Sequence, residues 1–347
     1  MLTTDAERIS LRTEHPFTIA RETLHEIETV IVRVEDDDGR VGIGGAGPSR
    51  HYGETVETIV AVLPALLEVV EAVGDPAHRQ RIERRMEAVV RGHPAAKAAV
   101  SIALHDLVAK RADQPLFRYW GLDPAETVTS SFTIAIDTLD RMAEKTEAAV
   151  AAGYPILKVK LGTDRDEAIV DAVRTHAPDA TIRVDANAAW TPREAVRMTR
   201  ILADYDVEFV EQPLPADHRE GLRFVYERSA LPVALDESCV RPADVPHVAD
   251  RADIANLKLM KCGGLRAARR MIHAARAHGL EVMLGCMIES NASIAAAAHL
   301  APLLDYADLD GSLLLAEDPY DGVPMPDGRV ELDGLSRAGT GARRRGG

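Results

Sequence analysis

Short apolar runs recur along the chain from about residue 129, and an amphipathic pattern separates each run from the next. Runs of four to eight apolar or β-branched residues predict buried strands, and a 3.6-residue apolar period predicts the helices between them. The predicted strands lie at 129–136, 156–161, 181–185, 207–211, 233–236, 254–258, 281–286 and 306–309. Helical patterns lie at about 138–152, 164–176, 193–204, 217–228, 242–250, 265–278 and 290–303. This alternation predicts a (β/α)₇β barrel, a modified TIM barrel with no helix after its last strand.

The first 124 residues follow a different pattern. Strands are predicted at 1–12, 28–35 and 41–47, with a loop at 15–27 and an Asp-Gly turn at 36–40. Three helical patterns follow at 53–73, 76–90 and 94–112. A strand meander followed by helices indicates an α+β capping domain. We therefore expect a cap at 1–124, a barrel at 125–315, and a C-terminal segment at 316–347 that packs back on the cap and ends in a disordered basic tail.

Composition excludes several classes of function. The formal net charge of the 347 residues is −14, which argues against a nucleic-acid partner because phosphate binding requires clustered cations. The three cysteines show no CxxC spacing, which predicts a reducing cytoplasm and no disulfide framework. The chain opens on polar and charged residues, and its longest apolar run is interrupted by Pro64 and Glu68. We expect no signal peptide and no membrane span.

Five charged residues each close one of the predicted barrel strands. They are Lys160, Asp185, Glu211, Asp236 and Lys258, at intervals of 25, 26, 25 and 22 residues. The carboxyl ends of barrel strands form the catalytic face of this fold. The regular spacing therefore predicts an active site built from these charges.

Three of the charges are carboxylates on consecutive strands, Asp185, Glu211 and Asp236. Adjacent strands lie about 5 Å apart, so the carboxylates would repel one another unless a cation neutralised them. Hard oxygen ligands in this number suit Mg²⁺. Each acid alone could be a helix cap or an ion-pair partner, but three in successive repeats favour a metal site.

The lysines indicate the reaction. Lys158 and Lys160 point to the same side of their strand, and Lys258 stands about halfway around the barrel from them. Burial and a nearby cation are expected to lower a lysine pKa toward neutrality, as a general base requires. The arrangement predicts removal of the proton α to a metal-bound carboxylate, with Lys158 and Mg²⁺ stabilising the enediolate. Proton return to the other face gives an epimer, whereas loss of a β-leaving group gives an alkene.

These residues resemble motifs of the enolase superfamily, in its muconate-lactonizing subgroup. The matching motifs are Lys158-Val159-Lys160, Asp185-Ala186-Asn187, Glu211-Gln212-Pro213, Asp236-Glu237-Ser238 and Lys258 within NLKLMKCGG. The resemblance implies that Lys160 and Lys258 are the acid/base pair and that one Mg²⁺ per subunit is held by the three acids. It further implies that Glu237 orients Lys258, with a solvent-facing turn residue as the alternative, and that Asn187 supports the metal site. Members of the family often form homo-oligomers.

Within the subgroup, the chain is most similar to dipeptide epimerases. In that family an Asp-x-Asp after the eighth strand grips the substrate's α-ammonium, and Asp308 and Asp310 match it. The alternative is an ordinary strand-end turn, since Asp-Gly is a favourable turn pair. Met287 and Ile288 resemble the substrate-contacting loop after the seventh strand. Two hydroxyl residues of the first strand are further candidates for peptide contacts, Ser131 and Thr133.

The loop at 15–27 departs from the family pattern. In relatives that act on Ala-Glu, an arginine of this loop receives the glutamate side chain. Counting from Pro16-Phe17 to the next strand puts Glu22 at that position, whereas a shift of one residue would put Arg21 there and reverse the inference. A carboxylate would repel an acidic side chain, so Glu22, with Glu26, favours a cationic or polar dipeptide. The alternative is a solvated loop whose charge has no effect on specificity.

Other functions use the same scaffold. They include a muconate cycloisomerase, an o-succinylbenzoate synthase, an N-acylamino acid racemase and an acid-sugar dehydratase. Asp308 and Asp310 argue against the first three, whose substrates lack a free amine. A dehydratase would usually replace Lys258 with a His–Asp dyad. A non-catalytic metal-binding protein would be expected to lose an acid/base residue, and none is lost here.

Overall fold

The computed structural model describes residues 1–346 and opens with a three-stranded antiparallel sheet. Its strands are β1 (Thr3–Thr18), β2 (Thr23–Glu35) and β3 (Val41–Ala46). The predicted loop at 15–27 is wrong, because β1 and β2 stay paired up to Thr18 and Thr23. Pro16 lies in an irregular stretch between Arg12 and Phe17 where the register shifts. The pairing resumes beyond it and leaves only a short tip at 19–22.

Four helices complete the cap: α1 (Val56–Val73), α2 (Arg79–Val89), α3 (Pro94–Arg111) and α4 (Leu116–Tyr119). Thr55 and Thr58 form a capping box at the start of α1, and Gly74 ends it in the left-handed region. Helix α3 lies directly on β3, where a Cβ on Gly42 or Gly44 would come within 2.1 Å of a helix carbonyl oxygen. These glycines therefore serve close helix packing.

Eight parallel strands form the second sheet in chain order. They are β4 (Phe132–Ile134), β5 (Ile156–Lys160), β6 (Thr181–Asp185), β7 (Val207–Glu211), β8 (Val233–Leu235), β9 (Ile254–Lys258), β10 (Glu281–Gly285) and β11 (Tyr306–Asp308). The backbone N–H of Ser131 donates to the Ala307 carbonyl at 3.0 Å, which joins the first strand region to the last. The predicted barrel with an α+β cap is confirmed.

Helices connect the barrel strands and cover their outer face. They are α5 (Leu139–Ala151), α6 (Asp166–His176), α7 (Pro192–Asp204), α8 (Arg219–Tyr226), α9 (Val245–Val248), α10 (Leu259–Cys262), α11 (Leu265–Ala277) and α12 (Asn291–Ala298). Helix α7 begins at a capping box of Thr191 and Glu194, with Pro192 in its first turn. The single-turn helix α10 follows β9 without a loop, which the sequence pattern did not predict.

The C-terminal segment folds against the cap. Strands β12 (Tyr320–Asp321) and β13 (Arg343–Arg344) pair with each other. The prediction of a disordered basic tail is therefore wrong for Arg343 and Arg344, because Asp321 and Glu7 neutralise their charges. The part of the prediction that falls on residue 347 lies outside the described residues. Among residues 1–346, no helix is long and apolar enough to cross a membrane.

Candidate active site

The strand register brings the predicted charges onto one ring at the carboxyl end of the barrel. Lys160 stands opposite Asp185, and Asp185 stands opposite Glu211. Asp236 follows directly after β8, whose Ala234 is the register partner of Glu211. Charges that lie about 25 residues apart in the sequence are thus neighbours in space.

The far side of the ring carries the second lysine and the first aspartate of the Asp-x-Asp pair. Gly285 at the end of β10 is the register partner of both Lys258 and Asp308. A Cβ on Gly285 would lie 3.1 Å from Cε of Lys258. This glycine therefore leaves the space that the lysine side chain occupies.

Lys158 lies beneath the ring and is 1% exposed. Its Nζ is 2.8 Å from Glu211 Oε2, 2.8 Å from Asp308 Oδ2 and 3.3 Å from Asp185 Oδ2. A buried ammonium is costly without counter-charges, and three carboxylates supply them. Lys158 therefore links the predicted metal ligands to the predicted ammonium site.

The other two lysines line an open cavity, each paired with one carboxylate. Lys160 Nζ donates to Asp185 Oδ2 at 2.7 Å. Lys258 Nζ lies 2.8 Å from Asp236 Oδ2. Because β5 and β9 are four strands apart in an eight-stranded barrel, the two amino groups approach the cavity from opposite sides.

The carboxylates have the character of cation ligands. Burial and the neighbouring Asp185 carboxylate raise the pKa of Glu211 to about 7, although the Lys158 amino group lies 2.8 Å from its Oε2. Burial alone would raise the pKa of Asp185, but Lys160 and Lys158 hold it at about 2. The pKa of Asp236 is also low despite burial, because of Lys258 and Lys261.

These groups fit a divalent cation by their chemistry. Within residues 1–346, no three acidic, histidine or cysteine side chains converge closely enough to hold a metal ion as they stand. Lysine amino groups instead occupy the space between the acids. Asp185, Glu211 and Asp236 are all buried, and three carboxylates with hard oxygen atoms are a donor set that suits Mg²⁺.

The protein's own side chains do not lower the pKa values of Lys158 and Lys258. Burial alone would lower the pKa of Lys258, but the Asp236 carboxylate overcomes that effect and raises it. Likewise, Asp308 and Glu211 outweigh burial and raise the pKa of Lys158 well above its usual value. The expectation rested on burial and a metal cation, whereas the protein's own groups form the alternative arrangement, buried ion pairs between lysines and carboxylates.

Asp308 and Asp310 are held in different environments. Asp308 accepts a hydrogen bond from the Ser131 hydroxyl at 2.7 Å, and Lys158 holds its pKa down against burial. Asp310 accepts from the Thr133 backbone N–H at 2.7 Å. Burial, reinforced by Asp308, raises the pKa of Asp310 to about 7. Thr133 lines the cavity, whereas Ser131 lies behind Asp308 and orients it.

The cavity has a volume of about 350 Å³ and opens between the cap and the barrel. Met287 and Ile288 form part of its wall, as predicted for the loop after β10. From the cap, β1 and β2 contribute apolar residues and Glu26. The tip between these strands contributes Arg21 and Glu22.

Two known families match the two parts of the chain. The family described as "Mandelate racemase / muconate lactonizing enzyme, N-terminal domain" matches residues 3–121, and "Enolase C-terminal domain-like" matches residues 141–343. The chain belongs to the enolase superfamily. The resemblance inferred from its strand-end motifs is thereby confirmed.

Several relatives of this enolase-superfamily chain are dipeptide epimerases. The L-Ala-D/L-Glu epimerase of Bacteroides thetaiotaomicron is 38% identical over 95% of this chain and 85% of its own. The dipeptide epimerase of Enterococcus faecalis V583, solved with Mg and L-Leu-L-Tyr, has a TM-score of 0.92 at 34% identity, covering 98% of this chain and 99% of that one. The dipeptide epimerase of Methylococcus capsulatus, solved with Mg and L-Arg-D-Lys, has a TM-score of 0.89 at 34% identity, covering 98% of each chain.

One predicted contact of this enolase-superfamily site is wrong. Glu237 was expected to orient Lys258, but its Oε1 accepts a hydrogen bond from Arg21 at 2.7 Å. Asp236 is the residue that pairs with Lys258. Asn187 donates through its backbone N–H and side chain to Asp185, at 2.8 and 3.2 Å, which agrees with a supporting role.

Three buried residues of the site escaped the sequence analysis. Lys261 Nζ pairs with Asp236 and donates to the Asn256 carbonyl at 3.0 Å. The Asn256 side chain donates to Glu211 Oε1 at 2.8 Å. Gln212 accepts from the backbone N–H of Asp236 at 3.0 Å and so joins two neighbouring turns. Asn256 lies two residues before Lys258, a spacing that places both on one side of β9 and could have revealed it.

Proposed function

We propose that this protein is a Mg²⁺-dependent dipeptide epimerase that inverts the α-carbon of the substrate's C-terminal residue. The observation that carries the proposal is one cavity lined by Lys160 and Lys258 from opposite sides and by Asp308 and Asp310 at one end. The two lysines are suited to transfer a proton between the two faces of a carbon, and the two aspartates are suited to bind an ammonium group. Relatives that share most of the chain are dipeptide epimerases.

The proton transfer uses the two lysines alternately. One amine takes the α-proton, which breaks the C–H bond and leaves its electron pair delocalised over the substrate carboxylate as an enediolate. The opposite ammonium then donates a proton to the other face and forms the new C–H bond. Since β5 and β9 lie across the barrel from each other, Lys160 and Lys258 can serve both directions.

The residues that would hold one Mg²⁺ are Asp185, Glu211 and Asp236. When bound, the ion supplies positive charge for the substrate carboxylate on which negative charge develops. Asn187 and Asn256 orient two of these acids through hydrogen bonds to Asp185 and Glu211. Lys158, enclosed by carboxylates, adds a fixed positive charge to the same region.

The dipeptide's α-ammonium is placed between Asp308 and Asp310. Ser131 and the Thr133 backbone hold these carboxylates in position at 2.7 Å each. A carboxylate pair at this end of the cavity sets the substrate's direction, with its amino end at β11 and its reacting carbon between the lysines. N-acylated amino acids lack the ammonium and would leave the pair without a counter-charge.

We further propose a cationic side chain at the C-terminal residue. Glu22 and Glu26 line the cap side of the cavity. Arg21 is already paired with Glu237, so it does not offset them. The resulting negative potential favours lysine or arginine over glutamate. The Methylococcus capsulatus relative, solved with L-Arg-D-Lys, is consistent with this preference.

The test is α-proton exchange in D₂O with Mg²⁺ and pooled L,L-dipeptides, read by mass spectrometry. Pools with acidic, cationic, aliphatic and aromatic C-terminal residues are compared, and the double variant K160A/K258A is the negative control. We expect a one-dalton gain that requires Mg²⁺ and is fastest in the cationic pool. No exchange in any pool, with N-acylamino acids active instead, would replace the proposal with an N-acylamino acid racemase.

We also propose a cytoplasmic homo-oligomer. Cys239, Cys262 and Cys286 are all free thiols, which agrees with a reducing compartment. The oligomer is proposed from the family resemblance. Light scattering of the purified protein at several concentrations measures the number of subunits.

A further inference from the structure

The tip of the cap hairpin reaches across to the barrel through one arginine. Arg21 lies in the tip at 19–22, which is closed by a hydrogen bond from Ile19 N–H to the Glu22 carbonyl at 3.0 Å. The Arg21 guanidinium donates to Glu237 Oε1 at 2.7 Å and to the Asn187 carbonyl at 3.1 Å. The two barrel partners belong to different turns, after β6 and after β8. The Arg21 side chain therefore links the cap to two turns of the barrel.

Both turns carry predicted metal ligands. Asn187 lies two residues after Asp185 and donates two hydrogen bonds to it. Glu237 directly follows Asp236. A displacement of either turn would shift an acid that the proposed function assigns to Mg²⁺. Arg21 is thus connected to the metal site without being part of it.

Within residues 1–346, Glu237 is paired with Arg21 alone. Its side chain is 2% exposed, its second oxygen has no hydrogen-bond donor, and Arg21 is its single salt-bridge partner among the described residues. Arg21 remains 34% exposed at the cavity mouth. A buried carboxylate that loses its only counter-charge is strongly destabilised, so the bond holds the tip down.

Two further contacts join this end of the hairpin to the barrel, and neither involves a charged group. The Ile136 N–H donates to the Thr18 carbonyl at 2.9 Å. Ala20 packs so closely on Gly162 that a Cβ on the glycine would lie 2.9 Å from the Ala20 Cβ. Arg21 therefore provides the directional, charge-assisted contact of this interface.

We propose that Arg21 is a positioning residue that holds the hairpin tip closed over the cavity. It also fixes the relative positions of the turns after β6 and β8, next to Asp185 and Asp236. It does so by bridging Glu237 and the Asn187 carbonyl. This role also withdraws the loop's arginine from substrate contact, which leaves Glu22 free to act on the dipeptide side chain. This last consequence, the Mg²⁺ site and the kinetic measurement rest on the proposed epimerase function, whereas the contact between the hairpin tip and the barrel does not.

The experiment compares Arg21→Met and Arg21→Lys with the control Arg12→Met, an exposed arginine on the same hairpin. Hydrogen exchange of the backbone at 17–24 and Mg²⁺ titration by calorimetry are measured first. For Arg21→Met we expect exchange about tenfold faster and a Mg²⁺ Kd about tenfold higher, the size of one charge-assisted hydrogen bond. Arg21→Lys should lie between Arg21→Met and the wild type, and Arg12→Met should match the wild type.

The double variant Arg21→Met/Glu237→Met separates the lost bridge from the unpaired carboxylate. It removes the unpaired carboxylate without restoring the bridge, so exchange at 17–24 should stay fast and Mg²⁺ affinity should stay low, whereas full recovery of Mg²⁺ affinity would overturn the positioning of the two turns by Arg21. In kinetics, Arg21→Met should raise the dipeptide KM more than it lowers kcat. Unchanged exchange and unchanged Mg²⁺ affinity in Arg21→Met would overturn the proposal. If Arg21→Met changes both hydrogen exchange and Mg²⁺ affinity but the wild-type protein is inactive on every dipeptide, the role of Arg21 is upheld and the epimerase function is refuted.

Discussion

The dipeptide KM should rise about tenfold for each pH unit below 7, because Asp310 must be ionised to hold an ammonium group. Burial and the neighbouring Asp308 raise the pKa of Asp310 from 3.8 to about 7. The difference corresponds to about 4 kcal/mol in favour of the neutral acid. Asp310 is therefore neutral in the ligand-free enzyme below pH 7 and charged above it.

The substrate amine sets the opposite limit. An α-amino group has a pKa of about 7.7 to 8, so the dipeptide loses its charge above about pH 8. The two ionisations together predict a bell-shaped profile of kcat/KM with a narrow maximum between about pH 7 and about pH 8. Asp308 contributes no limb in this range, because Lys158 keeps its pKa low.

The assay measures initial rates from about pH 5.5 to about pH 8.5 for the wild type, Asp310→Asn and the exposed control Asp179→Asn. Asp310→Asn should lose the acid limb and raise KM about 10- to 100-fold at pH 8, as expected for a lost hydrogen bond to a charged group. The control should follow the wild type. An acid limb that persists unchanged in Asp310→Asn would refute the reasoning.

Four further outcomes are expected. Lys160→Ala and Lys258→Ala should each abolish epimerisation, yet each should keep α-proton exchange with one stereoisomer, seen by deuterium incorporation from L,L- and L,D-dipeptides separately. Glu22→Gln should lower kcat/KM about 3- to 10-fold for a dipeptide ending in lysine and leave one ending in leucine unchanged, which corresponds to a surface charge pair of about 1 kcal/mol. Lys261→Met should cost about 3 to 5 kcal/mol in urea unfolding, because it leaves the buried Asp236 short of a counter-charge. Chelation should abolish exchange, and Mg²⁺ should restore it.

The barrel and the charged residues at the carboxyl ends of its strands could be predicted because each follows from a short stretch of sequence. Each strand is a short apolar run, and each charge directly follows one, so spacing alone orders Lys160, Asp185 and Glu211 around the barrel. Parallel pairing then fixes which ends meet. The lysine pair across the cavity follows from counting strands. None of these steps requires knowledge of distant contacts.

The features that were missed depend on distant contacts. Arg21 and Glu237 are 216 residues apart, and no local pattern connects them. Arg344 contacts Glu7 across almost the whole chain, which turned a predicted disordered tail into a strand. The length of β1 and β2 was missed because Pro16 interrupts an otherwise regular alternation. The sheet accommodates the proline with a register shift.

The lysines also show that charge state depends on neighbouring groups that residue identity alone does not give. Sequence reasoning expected burial and a nearby cation to lower a lysine pKa, with ion pairs to the carboxylates as the alternative. The structure surrounds Lys158 with three carboxylates and pairs Lys258 with Asp236, so their pKa values rise. The acids that would bind a cation are thus the same groups that stabilise the lysines as ammonium ions. The carboxylates of the ring serve as counter-ions for the lysines and as ligands for a cation. The protonation of each lysine therefore depends on which other cations neutralise the carboxylates beside it.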